Sequence, residues 1–261
     1  MSEHDGGWVA LFSGGKESSW ALCTAQDAGR EVHRLIIVHP LAGSHVYHAP
    51  AMSVIRLAAK STGIPIVDVT IPPVDVEPPD IGRRSDQRSK TRDGDAIETL
   101  ESGLRTLDSE LDGGLRGVIA GIVESDYRAD RLRSMCDRIG CDFVAPLWHA
   151  DPHRLLETMI DSGLEIVFAE VAAPGFDESW LGRRLDRTAL DDLESLHQEY
   201  GVHLLGEGGE FETIVTDGPH MSQPIALEFE REWDGAWGRL RITDTRFEAP
   251  TSGEDHRDTT T

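Results

Sequence analysis

Lysine is almost missing from this chain: Lys16, Lys60 and Lys90 stand alone among 261 residues, and every other basic residue outside histidine is arginine. Cysteine is equally scarce. Cys23, Cys136 and Cys141 are too few and too irregularly spaced for a disulfide framework, and none forms the CxxC pairs of a structural zinc site. Aromatic residues reach only 6%. No apolar run approaches the roughly 18 residues that a membrane span needs. The opening MSEHDGG has no basic segment followed by an apolar one, so a cytoplasmic protein with no membrane partner is expected. Positive charge is also short: 25 basic residues face 47 acidic ones, for a net charge of -22 and a pI near 4.7. Such a surface repels phosphate backbones, which argues against direct nucleic-acid binding. Excess carboxylate with little lysine is the composition of a protein kept hydrated in concentrated salt, where self-repulsion is screened, and the chain reads as a halophile's.

What is present is a globular sequence of 28.7 kDa, 39% hydrophobic and 28% charged, with a mean hydropathy of -0.33. Its first half alternates strand-like and helix-like segments. Strands are expected at 8–12, 33–39, 64–71, 117–123 and 141–148, and helices at 16–29, 53–63, 96–111 and 126–140. Strands separated by helices make βαβ units, so the expected class is α/β, a doubly wound and mainly parallel sheet over residues 1–148. Between Pro72 and Asp95 four prolines and no periodicity predict a loop. Its basic cluster (Arg83, Arg84, Arg88, Lys90, Arg92) suits either a solvated insertion or a flap that touches phosphate. Over 149–248 the pattern changes: helices at 152–163 and 185–201, a strand at 165–173, then strands at 210–217, 225–233 and 238–248. These predict a smaller α+β domain with an antiparallel or mixed sheet, followed by a disordered tail at 249–261.

The chemistry begins at Ser13-Gly14-Gly15-Lys16-Glu17-Ser18, where a buried strand runs through paired glycines into a helix. Glycines let a phosphate approach the backbone without Cβ clashes, and the helix N-terminus offers N–H groups and partial positive charge. Ser13, Ser18 and Lys16 add side-chain donors. The spacing is neither GxxxxGK[ST] nor GxGxxG. Its place after the first strand of an α/β sheet is where ligands bind in such folds.

SGGKES resembles the SGGxDS loop of the PP-loop ATP pyrophosphatases. Further segments are similar to one branch of that superfamily, the diphthine–ammonia ligase family. They are Tyr47-His48-Ala49-Pro50, Gly121 with Ser125-Asp126-Tyr127, and Ala145-Pro146-Leu147-Trp148. The set continues with Glu178-Ser179-Trp180-Leu181-Gly182-Arg183 and Gly206-Glu207-Gly208-Gly209-Glu210-Phe211-Glu212-Thr213. The likeness runs from Val9 to about Glu248. It implies a PP-loop, HUP-like fold and an ATP-dependent ligase that converts the diphthine carboxylate on elongation factor 2 to diphthamide with ammonium. The reaction passes through an acyl-adenylate and releases AMP and pyrophosphate. ATP and Mg²⁺ are the implied cofactors, and free ammonium the simpler nitrogen source. Ser13, Gly14, Gly15, Lys16 and Ser18 are the implied phosphate contacts.

The family usually carries Asp where this chain has Glu17, which leaves that residue either a Mg²⁺ ligand or a first-turn helix acid. Glu207, Glu210 and Glu212 lie at the start of a strand, with Glu210 and Glu212 on one face. Clustered carboxylates suit ammonium, Mg²⁺ or a quaternary ammonium, and Trp148 and Trp180 could add cation–π contacts of about 0.5–2 kcal/mol. Lys16, Glu207 and Glu210 are the candidate catalytic residues, with Glu212, Tyr127, Trp148, Trp180 and Arg183 toward the substrate. His48, Gly121 and Asp126 are placed near the nucleotide, although Asp126 also suits a helix cap and Arg183 a surface ion pair. His149, His153, His197 and His203 show no metal-ligand spacing and read as ordinary histidines. Rival readings are a nucleotide-binding regulatory module that ligates nothing and a PP-loop tRNA-modifying enzyme. The first would bind ATP without forming AMP.

Overall fold

The computed structural model describes residues 6–40, 49–71 and 86–248. The expected tail at 249–261, His48 and the 72–85 part of the proline-rich segment lie outside them.

Five strands form a parallel sheet in the order β3-β2-β1-β4-β5. They are β1 (Gly7–Leu11), β2 (Val32–Pro40), β3 (Ile66–Ile71), β4 (Leu115–Ile119) and β5 (Asp142–Val144). Both faces of β1 are buried, as a central strand of a doubly wound sheet requires. Helices α1 (Lys16–Asp27) and α2 (Ala49–Ser61) cover one face, where Trp8, Ala10, Leu35 and Ile37 meet Leu22, Ile55 and Ala58. Helices α3 (Asp86–Glu110) and α4 (Asp126–Ile139) cover the other, where Val9, Ile36 and Val118 meet Leu104, Leu107, Leu132 and Met135. The doubly wound class expected from the sequence is the observed one.

Several boundaries differ from expectation: α2 begins at Ala49 rather than 53, β4 ends at Ile119 rather than 123, and two further ones have a local cause. Helix α3 begins at Asp86 rather than Ala96, so the last ten residues of the expected loop are helical. Their polar sequence carries no apolar stripe, which is the signal that periodicity needs. Strand β5 stops at Val144 instead of running to Trp148. Pro146 has no N–H for a ladder, and Trp148 N–H closes a turn onto the Ala145 carbonyl at 3.1 Å.

The second half contributes α5 (Pro152–Asp161), α6 (Arg187–Tyr200) and a four-stranded sheet in the order β7-β6-β9-β8. Its strands are β6 (Glu165–Val171), β7 (Phe211–Asp217), β8 (Ile225–Trp233) and β9 (Gly238–Phe247), all paired antiparallel. The apolar cluster under α1 and α2 continues into this sheet through Leu156, Phe168, Leu190 and Phe211. Ser61, at the end of α2, fastens the two sheets together. Its hydroxyl donates to the Gln223 carbonyl at 2.6 Å and accepts from Gln223 N–H at 2.8 Å, and its carbonyl accepts from the Ser222 amide and hydroxyl.

His220 lies inside this core, 9% exposed, edge-on to Phe12, and neither ring nitrogen has a partner among the described residues. Burial lowers its pKa from the ordinary 6.5 to about 4. The unfolded chain therefore takes up a proton below pH 6.5 that the folded chain refuses, so this stabilising contribution is lost as pH falls from 6.5 toward 4. Urea unfolding at fixed salt is expected to show about 2 kcal/mol less stability at about pH 5 than at about pH 7.5. His220→Leu should remove most of that difference; an unchanged pH slope in the variant would assign it elsewhere.

Candidate active site

The site forms where β1 runs out. Gly14 takes φ 73°, a left-handed conformation costly for residues with a Cβ. Gly15 then caps α1 with its backbone alone, since it has no side chain to offer the first-turn N–H groups. Ser19 N–H reaches the Gly15 carbonyl at 3.1 Å, and Lys16 N–H faces Thr213 Oγ1 at 3.4 Å. A helix start of this kind leaves amides free to face an anion. The serines close the loop on itself. Ser13 and Ser18 hydroxyls are 3.0 Å apart, Ser13 N–H donates to Ser18 Oγ at 3.2 Å, and Ser18 Oγ–H donates to the Gly15 carbonyl at 3.1 Å.

Strand β7 of the second sheet grips the same loop. Val215 N–H donates to the Gly14 carbonyl at 2.9 Å, next to the Lys16–Thr213 contact. The acidic turn preceding β7 is thereby brought over the loop. Between them opens a cavity of about 550 Å³ at the carboxyl ends of β1, β2 and β4. It sits at the switch point of the sheet, where β2 and β4 leave β1 in opposite directions. Its volume matches small-molecule sites in general. Ser13, Glu17 and Ser18 form one wall, Glu207 and Glu212 another, and Tyr127, Arg128 and Arg131 a third.

Gly121 lines the cavity too, for a packing reason. A Cβ there would lie 2.5 Å from the Glu17 carbonyl oxygen and 2.8 Å from Ser18 N. Only glycine lets the end of β4 approach the first turn of α1 so closely.

Lys16 does not point at this space. It is 2% exposed, and its ammonium donates to the Leu205 carbonyl at 2.8 Å, pairs with Glu17 Oε1 at 2.6 Å and lies 4.8 Å from the Phe211 ring centre. The lysine expected to hold phosphate is instead an internal anchor beneath the acidic turn. Glu210 is likewise turned inward: its Oε1 accepts His203 N–H at 3.2 Å, and its Oε2 is buried. Trp180 is 5% exposed and packs on Phe168 and Phe176, so its ring belongs to the core rather than to a substrate surface. Arg183 covers that ring at 4.7 Å and pairs with Asp192 at 2.6 Å, the surface ion pair among its two expected roles. Trp148 stacks on His149, and Asp126 is exposed on the first turn of α4, where Ser125 rather than Asp126 supplies the cap.

The acidic wall has its own electrostatics. Glu207 stands 4.0 Å from the Arg128 guanidinium. Glu212 opens to the cavity yet is crowded by its walls. That desolvation raises its carboxyl pKa, Lys16 opposes the rise, and the Glu17 and Glu170 carboxylates add to it. Arg131 donates to the Tyr127 hydroxyl at 3.0 Å and stacks over its ring. Arg128 and Arg131 were absent from the residues expected at the site. Their place beside Tyr127 on one helical face was the available signal. Thr213 acts through its hydroxyl, and Val215 and Leu205 through backbone atoms, on partners in the first sheet's loop that no spacing reveals.

Fold and site together define a doubly wound α/β protein with a candidate nucleotide pocket at its switch point. Models of the diphthamide synthase N-terminal and C-terminal domains match residues 7–78 and 151–246. A diphthine–ammonia ligase of Danio rerio is 32% identical over 228 residues, covering 84% of this chain and 86% of its own. The Homo sapiens protein of the same name is 30% identical over 231 residues, covering 84% and 82%. The chain belongs to the diphthine–ammonia ligase family. A solved structure described as a predicted subunit of a tRNA methyltransferase from Methanocaldococcus jannaschii aligns with 81% of this chain and 98% of its own, at 18% identity and a TM-score of 0.37. That likeness is too slight to bear on fold or function.

Proposed function

We propose that this chain is an ATP-dependent, AMP-forming amide ligase that joins ammonia to the diphthine carboxylate of elongation factor 2. One observation carries the reading beyond family membership: the glycine–serine loop and the acidic turn, 190 or so residues apart in sequence, wall one cavity. A carboxylate is a poor acyl donor because its leaving group would be oxide. Attack of its oxygen on the α-phosphorus of ATP expels pyrophosphate and leaves an acyl-adenylate. Ammonia then attacks the acyl carbon, and AMP departs.

In this reading the turn at the head of α1, with the Ser13 and Ser18 hydroxyls that line the cavity, receives the departing pyrophosphate, with Arg128 and Arg131 facing it across the cavity. Among the described residues no three His, Cys, Asp or Glu side chains could cage a metal ion alone. Glu17, which lines the cavity, would hold Mg²⁺ together with phosphate oxygens, and the ion would supply charge neutralisation. In this reading Glu212, whose pKa burial raises, takes the proton that ammonium must lose and becomes a neutral carboxyl as ammonia forms.

The test is direct. ATP, ammonium and diphthine-bearing elongation factor 2 should give AMP and pyrophosphate in step with amide, and ATP binding without AMP would favour a regulatory module. Glu212→Gln is expected to lower the rate at limiting ammonium by about 100-fold while ATP binding is retained. Unchanged ammonium dependence would remove Glu212 from that role.

A further inference from the structure

We infer that His203, which the cavity does not expose to substrate, is a positioning residue for this reaction and fixes the acidic turn against the phosphate loop. The inference rests on the ligase reading above. His203 uses every polar atom it has. Its Nδ1 accepts Leu205 N–H at 3.2 Å, which places the ring proton on Nε2, 2.8 Å from Glu124 Oε2. Its N–H donates to Glu210 Oε1 at 3.2 Å, and its carbonyl accepts Gly206 N–H at 2.9 Å.

The same path continues below the turn. The Leu205 carbonyl accepts the Lys16 ammonium at 2.8 Å, and Lys16 pairs with Glu17. Glu124–His203–Leu205–Lys16–Glu17 is thus an unbroken series of polar contacts. It runs from the connection between β4 and α4, under the acidic turn, to the first turn of α1. Leu205 and Phe211 bury the two ends of the turn, the Glu210 carbonyl accepts Ala172 N–H at 2.8 Å, and Glu212 is held in the β6–β7 ladder. Between those ends Gly206 and Gly209 adopt φ 73° and 83° and bring no side chains to pack, so hydrogen bonds set where Glu207 stands. Among the described residues the Glu124 bridge is the one link from His203 toward the opposite wall of the cavity, where Tyr127 and Arg128 stand three and four residues beyond Glu124.

Two substitutions separate this role from local folding. In His203→Asn the side-chain carbonyl lies near the position of Nδ1, so the Leu205 bond is kept while Glu124 is out of reach. In His203→Gln the terminal amide reaches Glu124 and the Leu205 acceptor is lost. His203→Asn is expected to lower kcat for AMP formation about tenfold with KM for ATP within about twofold, while His203→Gln stays within about threefold of the parent. Glu124→Ala should match His203→Asn, and the double variant should be no worse than either single. Parent-like kcat in His203→Asn, a Gln variant no better than Asn, or additive effects would each overturn the assignment. Hydrogen exchange of the 206–210 amides gives a readout free of activity, expected to be faster in the Asn than in the Gln variant, while the Leu205 amide itself should exchange faster in the Gln variant. If the parent protein formed no AMP, the ligase reading would fall while exchange still decided the role of His203.

Discussion

Gly121→Ala is expected to lower AMP formation by about 100-fold in a protein that still folds. The new methyl carbon would sit 2.5 Å from the Glu17 carbonyl oxygen, 2.6 Å from its carbon and 2.8 Å from Ser18 N. All three atoms are main chain of α1's first turn, so no side chain can swing aside. Either the end of β4 or the start of α1 must retreat by several tenths of an ångström. Overpacking of this kind costs about 1–3 kcal/mol, which a chain of this size can tolerate. The phosphate loop tolerates displacement less well, because its hydroxyls and amides act through position. Gly103→Ala is the control. Its Cβ would meet the Val69 methyls at 3.1 and 3.9 Å, and the substitution removes a glycine from the middle of α3. Pyrophosphate release and thermal unfolding should be followed for both variants. Parent-like activity in Gly121→Ala would show that the loop absorbs the shift and that this contact is not what positions it.

That glycine illustrates what the sequence could and could not disclose. Strand and helix order was legible almost throughout, because apolar periodicity and stop signals such as Gly140 and Gly201, both left-handed in the structure, are local. The glycine–serine loop was legible for the same reason, being one contiguous turn. The direction of Lys16 was not. Beside paired glycines a lysine reads as a phosphate ligand, and only the arrival of Leu205 from the turn before β7 and of Phe211 from β7 itself shows where its ammonium goes. Trp180 failed similarly: an aromatic in a motif suggests a binding face, whereas Phe168 and Phe176 enclose it from other segments. Glu207 and Glu212 were readable as an acidic group but not as the wall opposite Ser13. Their facing depends on the Val215–Gly14 and Lys16–Thr213 bonds between the two sheets. What remained hidden is tertiary proximity, which neither composition nor period encodes.

Lys16→Met is expected to destabilise the protein by about 2–3 kcal/mol and to reduce ligation by more than about tenfold. Methionine matches the buried stem but brings no charge, so the Leu205 carbonyl loses its donor and the Glu17 carboxylate its partner. Removing one member of a fully buried pair costs about 3–5 kcal/mol. The lower figure applies because the Glu17 side chain remains 20% exposed and water can solvate part of its charge. The double variant Lys16→Met/Glu17→Gln should regain part of the loss, since the unpaired charge is gone. A lysine committed to phosphate would behave differently: its loss would raise KM for ATP and leave the nucleotide-free protein as stable as before. Urea unfolding without nucleotide, set beside AMP formation at saturating ATP, separates the two. Unchanged unfolding midpoints in Lys16→Met would mean that the ammonium contributes nothing beneath the acidic turn. Coupled loss of stability and rate, relieved in the double variant, is the outcome that the 2.8 Å and 2.6 Å contacts require.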